Sequence, residues 1–244
     1  MSKIARLEKR ALLGLQPSMV IGRLDEEDVA AIVKACDAFW LHPGEANFQA
    51  PHAELTAGDC SNGFINLRDV LSYTNLCELF ARQLVDLLRD NYDGKINWVV
   101  GSDTAATGLS HDVARLLDAR WYPMQKNPDK SQSLNGIKIP DGARVLHVEE
   151  LMTTAKTSNA VRQGVKANNP EARFVPFLPV IIHRPALGEC EEVDGSKVLW
   201  LAHYDIQKWS PADCPLCQAG SERLRPNVPE NWAKLVATME AAQG

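Results

Sequence analysis

Two adjacent carboxylates followed closely by a run of hydroxyls form the arrangement with the clearest chemistry in this 244-residue chain. Residues 143–161 read ARVLHVEELMTTAKTSNAV. An apolar strand ends in Glu149 and Glu150, two apolar residues intervene, and Thr153, Thr154, Ala155, Lys156, Thr157 and Ser158 open a helix. Hydroxyls and consecutive N–H groups at a helix N-terminus cradle a phosphate group, aided by the helix dipole. Carboxylates just ahead of them accept hydrogen bonds from sugar hydroxyls or hold a hydrated Mg2+. The plainer alternative is that the glutamates merely flank a strand end and that Thr157 or Ser158 is an ordinary N-cap. Acids, apolar pair and hydroxyls in that order behind one strong strand favour a site.

Such a site needs a scaffold, and the hydrophobic pattern supplies one. Asp25 or Glu26 opens a segment with Val29, Ile32, Val33, Cys36 and Phe39 at helical spacing, ended by Pro43-Gly44. Thr74 caps a longer helix with Leu76, Leu79, Phe80, Leu84, Leu87 and Leu88 on one face. Beyond it the pattern alternates. Residues 96–100, 120–125, 143–148, 173–182 and 197–202 read as strands, separated by loops and by helices around 113–117 and 158–167. A last helix starts near Pro229. Strand–loop–helix units at this spacing predict an α/β fold: a mostly parallel twisted sheet flanked by helices. Residues 1–50 read as a helical N-terminal extension and 51–244 as the α/β domain. Ligands bind beyond the carboxyl ends of such strands, which singles out the loops 101–108 and 149–158.

Bulk composition limits the partners. With 26 Lys and Arg against 31 Asp and Glu the formal charge is −5, so no excess of cations exists to displace counterions from a nucleic acid. A small anion held by backbone N–H groups remains compatible with that charge. The first fifteen residues interleave charges with apolar positions, unlike a signal peptide. The apolar stretch 174–182 is broken by Pro176 and Pro179 and is too short for a bilayer, so a cytoplasmic protein is expected. Of six cysteines only Cys214-Pro-Leu-Cys217 has ligand spacing. A zinc site there needs further ligands, from Cys190 or His203; otherwise the pair is a turn or an incidental pair of thiols. His111, His147 and His203 read as packed or surface histidines. Neither GxGxxG nor GxSxG occurs, which argues against a dinucleotide-binding dehydrogenase and a serine hydrolase.

The strand–acid–acid–hydroxyl loop resembles the phosphoribosyl-pyrophosphate motif of type I phosphoribosyltransferases. Val99-Val-Gly-Ser-Asp-Thr104 is similar to that family's pyrophosphate loop, and 52–58 with 61–66 to the segment that orotate phosphoribosyltransferases place over the base. Lys126–Gly136 sits where the family has a mobile catalytic loop, and 214–225 is a fainter echo of its C-terminal region. The resemblance implies transfer of ribose 5-phosphate from phosphoribosyl pyrophosphate to a nucleobase, orotate foremost, with Mg2+ and in a homodimer. It implies that Thr153, Thr154, Ala155, Lys156 and Thr157 hold the 5-phosphate and that Glu149 and Glu150 hold the ribose hydroxyls. Ser102, Asp103 and Thr104, with Lys126, would attend the pyrophosphate, and Phe64 would stack on the base; no residue is assigned to the metal. The chain departs from the family pattern in having glutamate at both acidic positions, Ala155 and Lys156 where glycine is usual, Thr56 in place of a lysine, and only Lys126 and Lys130 in the mobile loop. A non-catalytic or regulatory phosphoribosyl-pyrophosphate- or nucleotide-binding protein on the same fold is the alternative.

Overall fold

A computed structural model describes residues 4–242. The chain begins with helix α1 (Lys9–Leu13) and helix α2 (Glu26–Ala35). Asp25 caps α2 through a reciprocal box: its carboxylate accepts from the Asp28 N–H and the Asp28 carboxylate accepts from the Asp25 N–H. Helical spacing carried the sequence expectation on to Phe39, but the helix ends at Ala35. Asp37 takes a left-handed φ of 53°, and Phe39–Leu41 becomes strand β1. Strands β2 (His52–Glu54) and β3 (Cys60–Ser61) form a hairpin, and β4 (Gly63–Ile65) pairs antiparallel with β1. Helix α3 (Leu67–Ser72) leads directly into α4 (Thr74–Arg89), whose expected apolar face is entirely buried. Thr74 is the first helical residue of α4 and makes no cap; the cap position belongs to Tyr73.

The α/β part follows. Strand β5 (Trp98–Val100) leads to helix α5 (Thr107–Leu116) and then to β6 (Arg120–Trp121). The single strand expected over 120–125 is divided at Pro123, which has no N–H for a ladder. β6 pairs with β5, whereas β7 (Gln125–Lys126) turns back on β8 (Gln132–Ser133) as a separate hairpin. Strands β9 (Arg144–His147) and β10 (Glu149–Met152) precede helix α6 (Lys156–Asn168). β11 (Arg173–Phe174), β12 (Phe177–His183), β13 (Glu192–Val193) and β14 (Ser196–His203) complete the sheet region. β15 (Lys208–Trp209), helix α7 (Pro215–Gln218), β16 (Arg223–Leu224) and helix α8 (Pro229–Ala241) close the chain.

Only Val148 separates β9 from β10, and only Val175 and Pro176 separate β11 from β12. The ladder continues across both breaks, through the Val148 N–H to the Val100 carbonyl and the Val175 N–H to the Val145 carbonyl, each at 3.0 Å. The result is one run of strands in the order β6, β5, β9/β10, β11/β12, β14, β13, parallel except at the β13 edge. Leu12, Val29 and Ile32 of the N-terminal helices share one apolar cluster with Leu84, Leu146 and Ile182. Helix α6 covers the opposite face through Val161 and Val165 against Trp98 and Val145. Among the described residues no helix is long and apolar enough to cross a membrane.

Candidate active site

β5 and β9 are neighbouring parallel strands, with Val100 opposite His147, so the loops after β5 and β10 leave the sheet at the same end. Gly101 allows the first loop to turn sharply: a Cβ there would lie 2.9 Å from the Ala106 carbonyl oxygen. Ser102 then faces inward. Its N–H and hydroxyl donate to the Glu149 carboxylate at 3.2 and 2.6 Å, and His147 Nε2 lies 2.7 Å from the same group. Burial holds the His147 imidazole well below its ordinary value, so the neutral ring donates its Nε2–H to Glu149. Glu149 is thus a buried knot joining the two loops. Glu150 differs: its Oε2 is buried and makes no hydrogen bond.

Burial pushes both carboxyls above the ordinary glutamate value, against the Ser102 donors on Glu149. Glu150 is raised further by the neighbouring Glu149 charge, and Arg68 of α3 opposes that rise. The folded chain therefore keeps protons on this pair at pH values where the unfolded chain has released them. Folded stability is expected to fall as pH rises from about 4.5 into the neutral range, since the unfolded state binds fewer protons there. A pH series of urea unfolding curves checks this: Glu150→Gln should flatten the slope, and an unaltered slope would contradict the assignment.

The hydroxyl run follows directly. Thr153, Thr154, Lys156 and Thr157 are exposed, and Lys156 is the first residue of α6. The cap position is Ala155, in the left-handed region at φ 54°, whereas Thr157 and Ser158 lie inside the first turn. No side chain caps α6 and no acid occupies its first turn, leaving the N–H groups and dipole of a 13-residue helix for an anion. An alanine at that φ is strained where glycine would not be. Ala155→Gly is expected to stabilise the fold by about 1 kcal/mol in denaturant unfolding; a loss of stability would contradict it.

The segment 126–136 is largely the β7–β8 hairpin, folded onto the site. The Lys126 N–H donates to the Asp103 carboxylate at 3.1 Å, and the Asp103 N–H donates to Gln132 Oε1 at 3.3 Å. Thr104 follows at φ 73° and is exposed. Hydrogen bonds thus join Ser102, Asp103, the Lys126 backbone and Glu149 in one unit from which the Thr153–Thr157 loop departs. Ser102 serves that unit through its hydroxyl, which donates to Glu149.

Phe64 stands apart, edge-to-face with Trp232, on a cavity of ≈ 410 Å³ between the tip of the β2–β3 hairpin, Glu54–Ala57, and Arg225–Asn227. The link to the acid pair is Arg68, four residues on, which also lines a ≈ 250 Å³ cavity with Thr104. Arg68, Gln132 and His147 are site residues that spacing did not reveal. The signal for Arg68 was its place just after Asn66, whose side chain accepts from the Arg68 N–H. Cys190 and His203 are elsewhere: Cys190 lies against the Thr153 carbonyl, and His203 pairs with His183 at 3.1 Å. The side chains gathered with Cys214 and Cys217 are His52 and Cys60.

Neighbouring parallel strands that end in a tight glycine turn and in an acid pair leading to an open helix N-terminus define the fold of the type I phosphoribosyltransferases. No protein-family model matches the chain. Curated proteins to which it is similar include orotate phosphoribosyltransferases: that of Caldicellulosiruptor bescii is 28% identical over 176 residues, 72% of this chain and 87% of that protein. Among solved structures, orotate phosphoribosyltransferase from Aeropyrum pernix superposes with a TM-score of 0.52 at 18% identity, covering 72% of this chain and 93% of that one. UMP synthase of Leishmania donovani gives a TM-score of 0.54 at 14% identity; 88% of this chain covers 42% of that longer protein.

Proposed function

We propose that this chain is a phosphoribosyltransferase that transfers ribose 5-phosphate from phosphoribosyl pyrophosphate to orotate, releasing pyrophosphate. The observation that carries the reading is the acid pair between an uncapped helix N-terminus and the loop 101–104, with the two loops tied by Ser102 and Glu149. The bond from ribose C1 to the pyrophosphate oxygen breaks, its electron pair leaves with pyrophosphate, and a ring nitrogen of the base bonds to C1 as its proton passes to water or to the released pyrophosphate. Positive charge develops on the ribose ring, so catalysis is positioning and electrostatics.

Thr153, Thr154, Ala155, Lys156 and Thr157 take the 5-phosphate. Glu150 meets the ribose hydroxyls with its partnerless Oε2 and faces the charge developing on the ring. Glu149, with both oxygens already bonded, acts as a positioning residue. The backbone at Asp103 and Thr104, with the exposed Lys126, receives the pyrophosphate. Mg2+ suits this donor set, because a hard cation binds carboxylate and phosphate oxygens and Glu150 Oε2 is unbonded. When bound with phosphoribosyl pyrophosphate it would neutralise charge on the leaving group. The cavity beside Phe64 has the dimensions of a small-molecule site and takes the base.

The protein acts as a cytoplasmic homodimer in this reading. The exposed turn of the β7–β8 hairpin is then the part within a neighbour's reach. Pyrophosphate release from phosphoribosyl pyrophosphate and Mg2+, compared with orotate, uracil and adenine as acceptors, tests the proposal. Release is expected with orotate, and release with adenine alone would overturn the choice of base.

A further inference from the structure

We propose that His52, Cys60, Cys214 and Cys217 bind a structural Zn2+ that fastens the β2–β3 hairpin to the C-terminal segment. The four donor atoms all lie within 4.8 Å of one another. Cys60 Sγ is 3.6 Å from Cys217 Sγ, and His52 Nε2 is 3.7 Å from Cys214 Sγ and 3.4 Å from Cys217 Sγ. Zinc binds sulfur at about 2.3 Å and imidazole nitrogen at about 2.0–2.1 Å. The edges of such a tetrahedron are about 3.5–3.8 Å long, and the three separations just given lie close to them. Three thiolates and one imidazole in a closed tetrahedral arrangement select zinc over harder cations.

Two further observations point to a metal. The first is the histidine tautomer. The single proton of the Ser221 hydroxyl is donated to the Ala50 carbonyl, so Ser221 Oγ can only accept from His52 Nδ1, 2.7 Å away. The proton is therefore on Nδ1, and the bare Nε2 lone pair faces the sulfurs, as a metal-ligating histidine held by an outer hydrogen bond requires. The second is the Cys217 N–H, which donates to Cys214 Sγ at 3.4 Å and so supports a thiolate within the Cys-Pro-Leu-Cys turn. His52, Cys60 and Cys214 are completely buried. Zn2+ with three thiolates leaves one net negative charge, and the guanidinium of Arg223 acts on both His52 and Cys217.

The site joins residues far apart in the chain: Cys60 and Cys217 are separated by 157 positions. β2 and β3 carry the Glu54–Ala57 wall of the Phe64 cavity, and β16, just after Cys217, leads to its Arg225–Asn227 wall. Zinc thus braces both sides of the cavity. The metal site itself does not rest on the proposed function; only its effect on base binding does.

The test is metal analysis of full-length protein, purified under reducing conditions without a histidine tag or chelator. One equivalent of zinc per chain is expected, released by a mercurial that titrates the thiols. Cobalt substitution should give the intense visible bands of a tetrahedral thiolate site. Cys217→Ser and Cys60→Ser should lose the metal, whereas Cys190→Ser should keep it. If the variants fail to fold, release by the mercurial and the cobalt spectrum of the unmodified protein still decide. Absence of zinc with no uptake from added Zn2+, full zinc retention in Cys60→Ser/Cys217→Ser, or a Cys60–Cys217 disulfide in place of metal would overturn the site. Loss of zinc should also raise KM for the base more than KM for phosphoribosyl pyrophosphate; a metal-binding protein with no transferase activity would keep the site and remove only that link.

Discussion

Glu150→Gln is expected to lower kcat by about two orders of magnitude, the scale on which one preorganised electrostatic contact to a developing charge acts. The substitution keeps the size of the side chain and removes the carboxyl that can give up its proton and take on negative charge as positive charge develops on the ring. Glu150 Oε2 is buried and has no hydrogen-bond partner, whereas the oxygens of Glu149 are occupied by Ser102 and His147. Glu150 is therefore the carboxylate free to meet the sugar. The effect should fall on kcat more than on KM for phosphoribosyl pyrophosphate, because charge on the ring appears only as the bond to pyrophosphate breaks. Thermal stability at neutral pH should not drop, since burial already disfavours the ionised form of this side chain. Steady-state kinetics and a melting curve on one preparation separate the outcomes. An unchanged kcat would remove Glu150 from the site.

Gly164→Ala should destabilise the protein by about 3 kcal/mol, at the upper end of overpacking costs. Two effects of opposite sign compete. Within a helix, alanine is favoured over glycine by about 1 kcal/mol. Against that gain, a Cβ at Gly164 would lie 2.0 Å from the Gln132 carbonyl oxygen and 2.6 Å from its carbon. Both are backbone atoms of β8 and cannot rotate away, so the clash wins and the hairpin must lift from α6. The same hairpin carries the Gln132 and Lys126 contacts to Asp103, so turnover should fall with stability. Denaturant unfolding measures the first effect and initial rates the second. A variant as stable as the parent would mean that α6 and β8 are not packed in this way.

The parts of this architecture written locally were legible. The apolar face of α4, the buried strands β5, β9, β12 and β14, and the acid–hydroxyl order after them depend on residues close in sequence. Errors arose where one local signal overran another. The 3.6-residue spacing of α2 continues to Phe39, but the chain turns at Asp37 and Phe39 is drawn into pairing with Ile65. Hydroxyls at 157 and 158 are conventional caps, yet a left-handed alanine takes that position. The stretch after Lys126 is polar enough to resemble a loop, and only its packing on Gly164 and Asp103 makes it a hairpin. The least legible features are those made by distance in the chain. Ser102 meets Glu149 across 47 residues, and Cys217 meets His52 across 165. No spacing rule couples such positions, so Cys190 and His203 were the natural but incorrect companions for the Cys214–Cys217 pair.

The net charge of −5 is silent about a small anionic partner. In the folded chain the anion-seeking groups are gathered at one helix N-terminus, with the carboxylates set behind them. The most direct measurement is the fall in orotate absorbance on mixing the protein with phosphoribosyl pyrophosphate and Mg2+, with the nucleotide product identified by chromatography. Consumption of orotate is expected, matched by equal amounts of orotidine 5-phosphate and pyrophosphate. Tight binding of phosphoribosyl pyrophosphate with no base consumed, whether orotate or another, would contradict it and leave a binding protein on a transferase fold.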